Sequence, residues 1–166
     1  SDLPQMIEGL EILNRAESQE NPKIAAVDVC SCSVHRNPYE WMDFLIDTTE
    51  RNIDVVIAGA GWANHLTAMT DKWLRNWTNN YHTTIVGVAF EDLKNPKHTE
   101  AAILSITEVP GHNIVFDNYV GPEGFTRACE FAANGKLPEI ATPETKPSAE
   151  RTLYQAIEKA RQLAKT

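Results

Sequence analysis

The sequence is poor in positive charge. Its 15 lysines and arginines stand against 23 aspartates and glutamates, a formal net charge of −8. Such a surface repels nucleic acid and anionic membrane, so neither is expected as a partner. The balance leaves room for one small phosphate held by local groups. Cysteine is scarce as well: the three present, an odd number, supply no disulfide framework. Cys30 and Cys32 stand too close together for an ordinary structural bridge. Their spacing is wrong for a structural zinc pair and there is no second pair, so no metal is expected. No apolar run approaches the roughly 20 residues that cross a bilayer. The first residues show no basic region followed by an apolar stretch, so no secretory signal is expected. A cytoplasmic, reducing setting follows as the expectation.

What is present describes an ordinary globular chain. Its 166 residues fit one domain with one core. The apolar fraction is 42% and the charged fraction 23%, as in most soluble domains. Strand-like and helix-like segments alternate. Asp2 can cap a first helix, with Pro4 tolerated in its first turn and Met6, Leu10 and Leu13 on its stripe. Lys23 to Val29 reads as a buried strand, and Pro38 to Glu50 as a helix burying Trp41, Met42, Leu45 and Ile46. Asp54 to Ala58 holds Val55-Val56-Ile57, the short apolar run of a parallel strand covered on both faces.

Asn64 to Trp77 reads as a helix, Thr83 to Phe90 as a strand and Thr99 to Ile106 as a helix. Asn113 to Phe116 is a further strand candidate, and Pro122 to Asn134 a helix with Gly135 at its C-terminal cap. Leu137 to Pro147 carries three prolines and reads as a linker. A last amphipathic helix starts at Ser148, with Leu153, Ala156, Ile157, Ala160 and Leu163 as its stripe. Repeated strand–helix units favour an α/β fold: a parallel sheet in a three-layer arrangement with helices on both faces. Ligands of such sheets sit at the C-terminal ends of the strands.

Two loops there carry chemistry. In Cys30 to Pro38, Ser33 and Arg36 can hold a phosphate through a hydroxyl, a forked cation and the N–H groups of a helix start. His35, between them, is the side chain best suited to moving protons near neutral pH. Taken alone, the pair reads equally well as a surface turn. In Ala58 to Leu66, Gly59 and Gly61 let the backbone approach a ligand closely. Asn64 and the lack of a later acidic strand end argue against a dinucleotide site. His65 reads equally as a ligand donor or a polar residue in a first helical turn. No nucleophile elbow, nucleotide-hydrolase phosphate loop or paired-carboxylate signature is present.

Taken in order, these segments resemble the PurE family. Ser33-Val34-His35-Arg36-Asn37-Pro38 is similar to that family's Ser-Ala-His-Arg-Thr-Pro. Ala58 through Met69 matches its Ala-Gly-Ala-Gly-Gly-Ala-Ala-His-Leu-Pro-Gly-Met at eight of twelve positions, which resembles the bacterial-type mutase class. Ser105, Ile106 and Pro110 are shared with its Leu-x-Ser-Ile-x-Gln-Met-Pro-x-Gly, and Ser1-Asp2 stands for the end of its opening Gly-Ser-x-Ser-Asp loop. The differences fall at the loops themselves: Trp62 replaces a glycine, Asn64 an alanine, and Glu108-Val109 a Gln-Met.

The resemblance implies a flavodoxin-like fold over residues 1–136, with the family's opening strand outside this sequence. It implies a linker at 137–147 and a C-terminal helix at 148–166 that packs on a neighbouring subunit of a homo-octamer. The ligand implied is a phosphorylated aminoimidazole nucleotide of purine biosynthesis, with carbon dioxide as the transferred fragment and no cofactor. His35 would be the general acid and base. Ser1, Asp2, Ser33, Val34 and Arg36 would hold phosphate and ribose; Gly59, Ala60, Gly61, Asn64, His65, Leu66 and Ser105 would line the carboxylate side. Two alternatives stand beside the mutase: a related carboxylase or decarboxylase of another nucleotide, and a non-catalytic binding or assembly module.

Overall fold

A computed structural model describes residues 2–25, 28–142 and 147–165. Among them, three parallel strands form one sheet in the order β1-β2-β3: Val55–Ala60, Thr84–Ala89 and Ile114–Val115. β1 and β2 run in register from Val55 opposite Thr84 to Ala60 opposite Ala89. β3 pairs Ile114 with Ile85 and Val115 with Val86. A last bridge joins Ala89 to Val120.

The alternation of side chains along β2 divides the core. Val86, Val88 and Phe90 point to one face, where they meet Leu13 of α1 (Ile7–Glu17) and Phe125, Ala128 and Cys129 of α5 (Gly121–Asn134). Ile85 and Ala89 point to the other, against Trp41 and Leu45 of α2 (Pro38–Glu50), Leu74 of α3 (His65–Asn76) and Ala102 and Ile106 of α4 (Pro96–Thr107). This is the three-layer, flavodoxin-like architecture expected. Every residue of β2 is buried, so its apolar run reads as continuous. Each large aliphatic side chain buried there contributes about 1.5–3 kcal/mol.

Several boundaries differ from expectation. Asp2 precedes a single 3-10 turn, Leu3–Met6, and its side chain makes no capping bond. The described residues of the expected strand at 23–29 form no strand; Ala26 and Val27 lie outside the described residues. Nor is the run buried: Ala25 and Val29 are exposed and Ile24 is half-buried. A strand needs a hydrogen-bonded neighbour, and among the described residues no strand pairs with this segment. α4 starts earlier than expected because Asn95 caps it, accepting from Lys97 N with Pro96 in its first turn. Gly135 does cap α5, with extended rather than left-handed backbone.

The last helix, α6, is Leu153–Leu163. It begins at a capping box of Thr152 and Gln155, not at Ser148. Leu153, Tyr154, Ile157 and Leu163 on it are exposed. Of the linker, 143–146 lie outside the described residues; Ala141 is pinned to Asn113 by two hydrogen bonds of 3.0 Å.

Candidate active site

The turn before α2 closes on Ser33. Its carbonyl accepts from Arg36 N at 3.2 Å and Asn37 N at 2.8 Å, and its hydroxyl accepts from His35 N at 3.4 Å. Pro38 then opens the helix. His35 is thereby presented from a hydrogen-bonded turn. Arg36 is exposed, and among the described residues no carboxylate pairs with its guanidinium, so it remains available to an anion.

The glycine-rich loop is fixed from beneath. Asn64 is fully buried. Its side-chain oxygen accepts from Thr67 N at 3.1 Å, capping α3, while its amide donates to Val88 O at 2.9 Å. The Thr67 hydroxyl donates to Ala58 O at 2.7 Å. The start of α3 is thus fastened to both β1 and β2, and that fastening sets where His65 stands. His65 Nδ1 lies 3.1 Å from His35 Nε2. Their rings meet edge to face, 5.2 Å between centroids.

A cleft of about 540 Å³ opens beside this pair, within the range of small-molecule sites. Val34, His35, His65 and Ser105 face it, as do Trp41, Ala68, Met69, Leu104, Glu108 and Val109. Its wall is mostly apolar, with two imidazoles, one hydroxyl and one carboxylate converging. Trp41 is held by its indole N–H, which donates to Thr70 Oγ1 at 3.2 Å.

The expected site residues divide accordingly. Val34, His35, His65 and Ser105 share the cleft, although the Ser105 hydroxyl already donates to Ala101 O at 2.7 Å. Asp2 sits at the end of β1: its Oδ1 is 3.7 Å from where a side chain on Gly61 would begin. Gln5 holds this segment there, its amide bonded twice to the backbone of Glu91 at 3.0 Å. Ala60 closes β1. Gly59 leaves room for Phe90, whose ring lies 2.7 Å from a Cβ placed there. Leu66 packs into the core face shared by Trp41 and Leu45, and the polar atoms of Asn64 are taken up by the loop itself. Ser1 lies outside the described residues.

Sequence reasoning placed Trp41 in the core and gave no role to Ala68, Met69 or Leu104 as cleft wall. It also passed over Asp92, Asn95 and His98, which form a network under Trp62. The Asp92-x-x-Asn95 turn before a helix was the available signal. His98 Nδ1 is 2.7 Å from Asp92 Oδ2, and this bond holds the Asp92 carboxyl below its ordinary range.

The family described as "AIR carboxylase" matches residues 1–134. The chain belongs to the AIR carboxylase family. It is similar to the N5-carboxyaminoimidazole ribonucleotide mutase of Thermotoga maritima, 29% identical over 98% of this chain and 86% of that one. It is also similar to the enzyme of the same name from Vibrio cholerae, 36% identical over 42% of this chain and 39% of that one. The AIR carboxylase match spans the His35 turn, the glycine-rich loop and the Ser105 segment. The linker and α6 fall outside it. Among the described residues no helix is long and apolar enough to cross a membrane, and no cluster of three or more metal-binding side chains occurs.

Proposed function

We propose that this chain is an N5-carboxyaminoimidazole ribonucleotide mutase, moving a carboxyl group from the exocyclic nitrogen to ring carbon four of an aminoimidazole ribonucleotide in purine biosynthesis. The observation that carries the reading is the His35–His65 contact beside an apolar cleft, next to Arg36, whose guanidinium pairs with no carboxylate among the described residues. Arg36, Ser33 and Asp2 bind the phosphate and ribose. His35 gives a proton to the carbamate nitrogen, and the nitrogen–carbon bond breaks to release carbon dioxide. The apolar wall of Val34, Met69, Leu104 and Val109 receives that fragment. The new bond forms between carbon dioxide and ring carbon four, and His35 takes up the proton lost there. Atoms and charge balance without a cofactor, metal or ATP. Holding both fragments in one cleft replaces a bimolecular encounter.

His65 orients the imidazole of His35 through the nitrogen it contacts; the proton that His35 gives up in the first step is restored by the one it takes from ring carbon four in the second. Glu108, on the cleft rim, faces the same space.

The protein acts as a homo-oligomer, an octamer, in the cytoplasm. Met69, Trp73 and Trp77 form one stripe along α3 that starts at the cleft, and Met69 and Trp77 are exposed. The apolar residues of α6 are exposed too. A neighbouring subunit covering these surfaces would close the cleft to water.

The test is conversion of N5-carboxyaminoimidazole ribonucleotide to the ring carboxylate without ATP, followed in ultraviolet absorbance. Light scattering should give eight times the chain mass. No conversion by a folded oligomer would reject the mutase reading.

A further inference from the structure

Trp62 is out of place by ordinary rules. Its backbone is left-handed, φ 59°, a region that bulky residues rarely occupy. The residue is 65% exposed. Core packing therefore does not explain it.

What the indole does have is a rigid backing. It stacks on His98, 3.9 Å between centroids and 22° between planes. His98 is held at both nitrogens: Nδ1 lies 2.7 Å from Asp92 Oδ2 and Nε2 lies 2.9 Å from the Asn95 amide nitrogen. The Asn95 oxygen accepts from Lys97 N, so the amide nitrogen is the atom turned to the ring. His98 Nε2 then accepts, and Nδ1–H donates to Asp92. The other Asp92 oxygen accepts from Lys94 N and Asn95 N at 2.9 and 3.2 Å. Trp62 thus stands on an imidazole whose tautomer and plane are fixed. With one face on that imidazole and 65% of the residue exposed, and no second ring contact among the described residues, the indole offers its other face at the C-terminal ends of the strands, three residues from His65.

We propose that the open face of Trp62, backed by His98, is a stacking platform for the planar base of a phosphorylated nucleoside. It selects ligands that carry a ring over those with only phosphate and sugar. This rests on the nucleotide reading of the same loop above. Stacking of one base on an aromatic side chain changes affinity by on the order of 5- to 150-fold.

The experiment is calorimetric binding of aminoimidazole ribonucleotide, adenosine 5′-monophosphate and ribose 5-phosphate to the full chain. The variants are Trp62→Gly, which suits the left-handed backbone and so folds, and His98→Ala. The expected result is that wild type binds a ring-bearing ligand at least about fivefold more tightly than ribose 5-phosphate. Trp62→Gly removes that preference and leaves ribose 5-phosphate binding unchanged; His98→Ala falls between. If aminoimidazole ribonucleotide binds equally to wild type and Trp62→Gly, the platform is overturned while the mutase reading stands. If only adenosine 5′-monophosphate binds, and does so through Trp62, the platform stands and the mutase reading fails. Binding of no ring-bearing ligand, or a variant that changes only the oligomer mass, overturns the platform.

Discussion

His65 Nδ1 lies 3.1 Å from His35 Nε2, across 30 residues of sequence. Two ring nitrogens at that distance share one proton, so each histidine settles the tautomer of the other. The two residues play unequal parts. In the proposed mechanism His35 meets the substrate, whereas His65 orients His35. His35→Asn should therefore lose about 10²- to 10⁴-fold in kcat with an unchanged melting temperature. His65→Asn should lose less, with little change in KM and a displaced pH–rate profile. Equal losses with identical pH profiles would show that His65 is no more than a cap neighbour.

The fold beneath the site depends on a buried ion pair. Asp71 and Arg75 on α3 are both buried, Nε to Oδ1 at 3.2 Å. The guanidinium also donates to Asn80 O at 2.6 Å and Thr83 O at 2.7 Å, which fixes the chain entering β2. Arg75→Ala removes the buried cation of Asp71 and leaves it only the partly exposed Lys72 as a cation, 3.7 Å away. That change should cost on the order of 3–5 kcal/mol, read as a lower urea midpoint with the same slope. The double variant Asp71→Asn with Arg75→Met should recover part of that loss.

The cysteines should differ in reactivity. Burial pushes the Cys129 thiol up to about 12. Burial, then its hydrogen bond with Cys30, raises Cys32 to about 11. The thiolate is the reactive form, so a raised value means slow alkylation. Cys30 is exposed. At pH 8 iodoacetamide should label Cys30 first, as read by peptide mass, with Cys32 and Cys129 reacting only after urea is added.

Asp92 gives a pH dependence of defined sign. The His98 bond lowers its carboxyl below the ordinary value. A depressed acid contributes stability above its unfolded value, about 3.9, and loses it as pH falls through the folded value. Asp92→Asn should therefore melt below wild type at pH 7, and the two curves should converge under strongly acidic conditions. A difference that persists unchanged at low pH would place the contribution elsewhere.

Local signals were legible in the sequence and distant pairings were not. α2 runs from Pro38 to Glu50 as expected, because Pro38 in its first turn and the spacing of Trp41 and Leu45 act within the helix. β1 and β2 were found from apolar runs that only a covered parallel sheet accommodates. The segment at 23–29 misled because an apolar run carries no information about whether a neighbour is available. α4 and α6 were mis-started because Asn95 and Thr152 cap through side chains whose geometry composition does not reveal. The His35 turn and the glycine-rich loop were marked as a site. That Asn64 would serve as a buried cap and that His65 would touch His35 depended on tertiary packing. The Trp62–His98 stack spans 36 residues and was equally invisible.

The central proposal is tested most directly by following the carboxyl carbon. N5-carboxyaminoimidazole ribonucleotide labelled with ¹³C in its carbamate is incubated with the protein in unlabelled bicarbonate without ATP, and the product is read by ¹³C NMR. The predicted result is label on ring carbon four's carboxylate, retained against exchange, and its absence with His35→Asn. Formation of unlabelled product, or the same labelled product from His35→Asn at the wild-type rate, would contradict a mutase that holds carbon dioxide and moves the proton with His35.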